Sequence, residues 1–143
     1  IGCIDKPNNN EFSNYDFDLN LSLFVTHEEA LKVMNESDIV VILSTEKTDS
    51  KYTLTGKLFD CIRSGKFILG IANSEDVNYR TMIDKLDIGK SCVNEINEIS
   101  NILEIQYKSW SKENSKSSKF NKEIYSRRNQ NIKLITKINN LYK

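Results

Sequence analysis

Apolar residues follow two patterns along the chain, short continuous runs and positions three or four residues apart. The runs from Ile39 to Ser44 and from Phe67 to Ile71 contain several β-branched residues and are typical of parallel strands buried on both faces. Apolar residues at alternate positions from Leu19 to Val25 predict a strand with one buried face. Ser91 to Val93 predicts a brief strand, and Ile1 to Ile4 is typical of the tail of a strand that begins earlier.

Helical patterns separate these strands. Thr26 precedes Glu29 by three residues, which is the spacing of a capping box, and the Gly56-Lys57 pair predicts the start of a helix that crosses to the next strand. Gly89 is expected to end the helix before Ser91. The remaining helical faces consist of Tyr79, Met82, Ile83 and Leu86; of Ile96, Ile99, Leu103 and Tyr107 leading to Trp110; and of Ile124, Ile132, Ile135, Ile138 and Tyr142.

Alternating strands and helices predict the fold class. Such an order implies right-handed crossovers, so we expect an α/β, Rossmann-like parallel sheet with helices on both faces and a long C-terminal helix. Residues 1–110 would form the Rossmann-like domain, lacking its first residues, and residues 111–120 a polar linker. Residues 121–143 would form an amphipathic helix whose apolar face docks on another surface.

Composition limits the class of protein. The 143 residues suit one domain, and 20 basic residues balance 20 acidic ones, so no overall charge points to nucleic acid as a partner. The three cysteines, Cys3, Cys61 and Cys92, lack a CxxC pair and indicate a reducing, cytoplasmic location with the thiols buried as small apolar groups. No apolar run approaches the roughly 20 residues of a transmembrane helix. Peripheral contact of the whole protein with the inner membrane face stays open.

The loop after the first buried run is the best candidate site in the sequence. It would lie at the carboxyl edge of a parallel sheet, where α/β proteins bind ligands. A helix that begins near Gly56 and Lys57 offers backbone N–H groups and a positive charge to phosphate. The alternative interpretation is an ordinary Thr55 cap followed by a surface lysine.

Several short segments follow one another in a definite order between Leu21 and Gly89. A capped helix leads through Glu36-Ser37-Asp38 into an apolar strand, which is followed by Thr55-Gly-Lys-Leu-Phe-Asp60, Ser64-Gly65 and a second strand. This order resembles the C-terminal, nucleotide-sugar-binding domain of GT-B fold glycosyltransferases of the group 1 or family 4 type. The closing Tyr125-Ser-Arg127 and its helix are similar to the C-terminal helix of such enzymes.

The resemblance implies a set of donor contacts. Thr55, Gly56 and Lys57 match the segment that faces the donor diphosphate, and Asp60 matches the acidic residue that holds the ribose hydroxyls. A carboxylate is a suitable acceptor for two neighbouring hydroxyls. Alternatively, Asp60 is a helix charge that interacts with the helix dipole. Catalytic residues are not assigned.

The resemblance also implies the surroundings of the donor. Val25, Thr26 and His27 match the region of the nucleobase, although an exposed histidine in a first helical turn is the simpler interpretation of His27. The donor substrate would be a nucleotide-diphosphate sugar, with no cofactor and no protein-bound metal. An acceptor-binding domain would precede residue 1, so this chain alone is expected to be inactive as a hexosyltransferase.

One departure keeps a second function open. Retaining members of the family carry a sugar-contacting glutamate where this chain has Tyr52. The chain would then be either the donor-binding half of a glycosyltransferase or a catalytically silent nucleotide-binding or partner domain of the same fold. A receiver-like or flavodoxin-like signalling module also alternates strands and helices, but no acidic cluster follows an early strand as a receiver requires.

Overall fold

A computed structural model of the chain describes residues 18, 20, 24–43, 56–73, 78–111 and 121–142. Helices and strands alternate through these ranges, which confirms the α/β, Rossmann-like class. The elements are α1 (His27–Glu36), β1 (Ile39–Leu43), α2 (Gly56–Ser64), β2 (Phe67–Ala72), α3 (Asn78–Leu86), β3 (Gly89–Val93), α4 (Ile96–Ser111), a 3-10 turn (Lys122–Tyr125) and α5 (Arg127–Leu141).

The three described strands form one parallel sheet in the order β1-β2-β3. Ile39 pairs with Phe67 at the start of β1, and Ile68 pairs with Gly89 at the start of β3. Because both crossovers move in the same direction across the sheet, right-handed connections place α2 and α3 on one face. Since α3 already covers β3 on that face, α4 packs against β3 from the other.

The main hydrophobic core lies between the sheet and helices α2 and α3. Alternate residues of β1 and β2 point into it, as the period of two requires. Buried side chains of both helices meet them, and Met34 of α1 packs at its edge. The buried members are Val40, Ile42, Leu58, Cys61, Ile62, Ile68, Ala72, Tyr79, Ile83 and Ile88.

The opposite face of the sheet is covered unevenly. Leu69 and Cys92 are buried there, but Val41 is 47% exposed and Leu43 is 71% exposed. The prediction that the first run is buried on both faces is therefore wrong for this strand. The reason is positional: β1 lies at one edge of the described sheet, whereas α4 covers β3 at the other.

Two sequence signals at helix ends had different outcomes. The capping box is confirmed, because the Thr26 hydroxyl accepts a hydrogen bond from the Glu29 backbone N–H at 3.3 Å, and the Thr26 N–H donates to the Glu29 carboxylate at 2.8 Å. The bond from the Thr26 N–H, together with one from the Thr26 hydroxyl to the same carboxylate, holds the pKa of Glu29 below its ordinary value. The prediction that Gly89 ends a helix is wrong: α3 ends at Leu86, and Asp87 adopts the left-handed conformation with φ 51°.

Gly89 instead opens strand β3, where the sheet itself requires a glycine. A Cβ added at Gly89 would overlap the backbone of Ile68, whose carbonyl carbon would lie 2.7 Å away. Gly65, by contrast, serves the turn before β2, with φ 71°. Glycine is therefore required for different reasons at the two positions: Gly89 lies too close to a neighbouring backbone for a side chain, and Gly65 adopts a left-handed conformation.

The C-terminal segment forms a short 3-10 turn followed by the long helix α5. The side-chain amide of Asn129 donates to the Glu123 carbonyl at 2.6 Å, and the side-chain amide of Gln130 donates to the Ile124 carbonyl at 2.7 Å. These two bonds connect the start of α5 to the turn. No described residue of α5 is buried. The predicted docking of its apolar face is therefore not provided by the described part of this chain.

Some predictions lie outside the described residues. They concern Ile1 to Ile4, most of the strand from Leu19 to Val25, and the polar linker beyond Ser111. The described residues of this predicted strand, Asn20, Phe24 and Val25, have no regular structure. In the described ranges no helix is long and apolar enough to cross a membrane.

Candidate functional site at the carboxyl edge of the sheet

Two helices begin toward one edge of the sheet. Strands β1 and β2 end at Leu43 and Ala72, and the helices that follow them begin at this carboxyl edge. Only Ser37 and Asp38 separate α1 from β1, so α1 runs against the strand and also begins toward the same edge. Because α1 packs against α2, the two helix starts lie on the same side of the molecule.

The start of α2 is open to solvent. Gly56 and Lys57 are both exposed, and a Cβ added at Gly56 would meet no atom within 4 Å. Packing among the described residues therefore does not require a glycine there. The first-turn N–H groups of a helix carry partial positive charge, and Lys57 adds a full one. Thr55, the other predicted diphosphate contact, lies outside the described residues.

Asp60 lies one turn farther into α2 and is half-buried. The next residue, Cys61, is buried in the core, and burial together with the Asp60 charge raises the pKa of its thiol to about 11. Lys57 and Asp60 are three residues apart and therefore share a helix face. The structure thus places the predicted diphosphate and ribose residues side by side on the first turns of one helix.

The predicted nucleobase residues surround the start of α1. Val25 is half-buried and His27 is exposed at the first helical position. Thr26 is committed to the capping box, because its hydroxyl also lies 2.8 Å from a Glu29 carboxylate oxygen. Thr26, although exposed like His27, therefore acts here as a helix cap.

An aromatic contact beside Asp60 was not anticipated. The ring of Phe59 lies 6.3 Å from that of Tyr125, centroid to centroid, at an interplanar angle of 40°. This contact brings the 3-10 turn against α2, next to the candidate site. The sequence pattern assigns Tyr125 only to the segment that leads into the terminal helix. An aromatic pair this far apart in sequence leaves no local signal.

A polar group between α3 and β3 was also missed. Arg80 donates through Nε to the Ser91 hydroxyl at 3.3 Å, and that hydroxyl donates to Asp84 at 2.7 Å. The Tyr79 hydroxyl donates to the carbonyl of Ile71 at 2.7 Å. The opposite charges of Arg80 and Asp84, four residues apart on one helix, were the available signal. These bonds fix α3 on the sheet and lend no chemistry to the edge.

Among the described residues, no group of three or more His, Cys, Asp or Glu side chains is placed to hold a metal ion. Comparisons of the chain with models of protein families, with curated proteins and with solved structures find no match. The interpretation of the site therefore depends on its own geometry.

Proposed function

We propose that this chain is the donor-binding half of a glycosyltransferase that moves a sugar from a nucleotide-diphosphate sugar to an acceptor held by a second domain. The observation that supports it best is the start of α2 at the carboxyl edge of a parallel sheet, with Gly56, Lys57 and Asp60 in sequence order on its first turns. Ligands of open α/β sheets bind at this edge.

The diphosphate would bind at the first turn of α2. Backbone N–H groups there have no partner within the helix itself, and the helix dipole favours a negative charge at this end. The open space beside Gly56 lets phosphate oxygens approach the backbone, and the exposed Lys57 ammonium adds a point charge. During transfer the same groups would stabilise the negative charge that develops on the leaving diphosphate.

The ribose would bind at Asp60. Asp60 lies three residues after Lys57, which corresponds to a rise of about 4.5 Å along the helix. The carboxylate is therefore close enough to the phosphate-binding turn to contact the ribose attached to the diphosphate. Two carboxylate oxygens can accept hydrogen bonds from neighbouring hydroxyls. The base would then extend toward the start of α1, where His27 is exposed and available for stacking.

Nucleotide titrations followed by backbone amide NMR test this proposal. Uridine, guanosine, adenosine and thymidine diphosphates are added to the labelled chain, and the amides of Gly56 to Asp60 are expected to shift with at least one of them. Lys57→Gln should weaken binding about tenfold or more, because a hydrogen bond to a charged group contributes about 1.5–3 kcal/mol. Asp60→Asn should weaken nucleoside diphosphates but leave inorganic diphosphate almost unaffected.

Matched controls separate the site from general charge effects. Lys85→Gln removes an exposed lysine at the far end of α3, and Asp38→Asn removes an exposed aspartate before β1. Neither should change nucleotide affinity. The proposal would be rejected if no diphosphate shifts the α2 amides at millimolar concentration, or if Lys85→Gln weakens binding as much as Lys57→Gln.

The silent-domain alternative is favoured by Tyr52, which stands where a sugar-contacting glutamate is expected. A donor-binding domain should hold a nucleotide sugar more tightly than the bare nucleoside diphosphate, because the hexose adds contacts. A silent domain should bind both equally. Comparing the affinities of uridine diphosphate and uridine diphosphate glucose, or the matching pair for whichever base binds, distinguishes the two.

A further inference from the structure

The 3-10 turn from Lys122 to Tyr125 packs against α2, and the contact includes an aromatic pair. The ring of Tyr125 lies 6.3 Å from that of Phe59, at an interplanar angle of 40°. Tyr125 is half-buried, and Phe59 keeps 38% of its surface exposed. A tilted pair at this distance is attractive beyond the apolar area that it buries. Tyr125 therefore holds α2 at a side chain outside the buried core.

Hydrogen bonds fix the turn that carries Tyr125. The side chain of Asn121 accepts a bond from the Glu123 N–H at 3.1 Å, and the Ser126 N–H donates to the Glu123 carbonyl at 3.0 Å. The side-chain amide of Asn129, in the first turn of α5, donates to the same carbonyl at 2.6 Å. The backbone is thus bonded on both sides of Tyr125, which defines the position of its ring.

Phe59 lies beside the candidate site on the first turns of α2. At 3.6 residues per turn, Gly56 falls between Phe59, about 60° away on one side, and Asp60, about 40° away on the other. Helical side chains also lean toward the N-terminal turn, so the Phe59 ring is directed toward the turn that begins at Gly56. The aromatic pair and the face of Lys57 and Asp60 therefore flank the open position where the diphosphate would bind.

The start of α2 is held from two directions. Gly56 and Lys57 are exposed, and Leu58 is the first residue of the helix that is buried in the core. The next residue, Phe59, packs on Tyr125. Because these two contacts lie on different sides of the helix, the first turn cannot tilt or rotate without weakening one of them. The direction of its N–H groups therefore depends on both.

We propose that Tyr125 is a positioning residue of the donor site. By packing on Phe59, it keeps the first turn of α2 in the orientation that presents the N–H groups, Lys57 and Asp60 to the nucleotide. Without this contact a smaller fraction of molecules would have the binding orientation, and the apparent Kd would rise by the inverse of that fraction. This inference rests on the proposed function, because it assigns Tyr125 a role in donor binding.

Nucleotide affinities of leucine variants of the full chain test the proposal. The ligand is the nucleoside diphosphate that binds the unchanged chain most tightly. Tyr125→Leu keeps apolar bulk but removes the aromatic pair, so it should raise the Kd about twofold to tenfold, the range that corresponds to such a pair. Phe59→Leu should have the same effect. The double variant should lose no more than either single variant, because each change removes the same interaction.

Two controls separate positioning from other effects. Tyr125→Phe keeps the ring and should bind like the unchanged chain. Tyr107→Leu removes a second aromatic pair of similar geometry, since the rings of Tyr107 and Trp110 lie 6.0 Å apart at 36° on α4. Helix α4 packs on the opposite face of the sheet, so Tyr107→Leu should leave the Kd unchanged.

Hydrogen exchange provides a measurement that needs no ligand. In a helix that begins at Gly56, the N–H groups of Asp60 and Cys61 bond to carbonyls four residues earlier, so their exchange reports the opening of the first turns. Tyr125→Leu should accelerate this exchange about twofold to tenfold. Tyr125→Phe and Tyr107→Leu should not.

The outcomes distinguish this proposal from the donor site itself. If a nucleoside diphosphate binds the unchanged chain and Tyr125→Leu equally well, the positioning role is refuted while the donor site stands. Equal weakening by Tyr125→Phe or by Tyr107→Leu also refutes it, as does unchanged exchange in Tyr125→Leu. If no nucleoside diphosphate binds the unchanged chain, the donor site and this role both fail. Weaker binding and faster exchange confined to variants that remove the Phe59 or Tyr125 ring support it.

Discussion

Gly70 in β2 controls how closely α3 packs on the sheet. A Cβ added there would lie 2.8 Å from the Ile83 Cδ1 atom and 3.0 Å from the Tyr79 ring, while the Ser91 Cβ would be at an ordinary 3.5 Å. Ile83 is fully buried, and the Tyr79 hydroxyl is bonded to the Ile71 carbonyl, so neither side chain can move aside without cost. Gly70→Ala therefore overpacks the core.

The expected cost follows from two opposing effects. Overpacking a core costs about 1–3 kcal/mol, and replacing glycine with alanine returns about 0.4–1 kcal/mol by restricting the unfolded chain. The free energy of unfolding should fall by about 1–2 kcal/mol. With a urea dependence of about 2 kcal/mol/M, the midpoint followed by far-UV circular dichroism should fall by roughly 0.5–1 M.

A double-mutant cycle identifies the contact responsible. Ile83→Val removes the Cδ1 atom and alone should cost about 1 kcal/mol. The double variant should lose about 1 kcal/mol less stability than the sum of the losses in the two single variants, because the added methyl fills the space that Cδ1 leaves. Gly56→Ala, at an open position, should leave stability unchanged or slightly raised. Additive costs, or a Gly70→Ala variant as stable as the parent, would refute the packing argument.

Other predictions concern a glycine, a cap and a thiol. Gly89→Ala should cost about 3 kcal/mol or more in urea unfolding, because its Cβ would overlap the Ile68 backbone and the strands would have to separate. Thr26→Ala should cost about 1 kcal/mol. It should also raise the pKa of Glu29, so carboxyl NMR titration should show a smaller gap from the usual value, whereas an unchanged titration would count against the capping box. Burial raises the pKa of Cys61 from 9.0 to about 11, so the folded state favours the neutral thiol. The free energy of unfolding should therefore be unaffected by this group below pH 9 and should fall as pH rises toward 11. The loss should reach at most about 2–3 kcal/mol and be absent in Cys61→Ala.

Local chemistry accounts for what could be predicted of the fold. The Thr26 and Glu29 capping box needs only residues three positions apart, and β1 and β2 needed only their β-branched runs, so these elements lie where the sequence indicated. The order of elements then restricts the topology to a parallel sheet. The pairing of Gly56, Lys57 and Asp60 on one helix face was also local, since it follows from helical spacing alone.

The sequence could not supply what depends on distant neighbours. Its pattern marked Gly89 as a helix stop, but the left-handed residue is Asp87, and the glycine answers to the backbone of Ile68 across the sheet. It likewise marked Val41 and Leu43 as buried because apolar character does not state which strand lies at an edge.

The sequence by itself determined the periodicities of this protein: which segments are strands, which are helices, and which side chains share a face. Those properties arise from contacts within a few residues of one another. Tertiary structure decided which faces are covered, since burial depends on elements far apart in the chain. It packed α2 against α1 with their starts at the carboxyl edge, placed Tyr125 beside Phe59, and left apolar side chains of α5 such as Ile135 exposed.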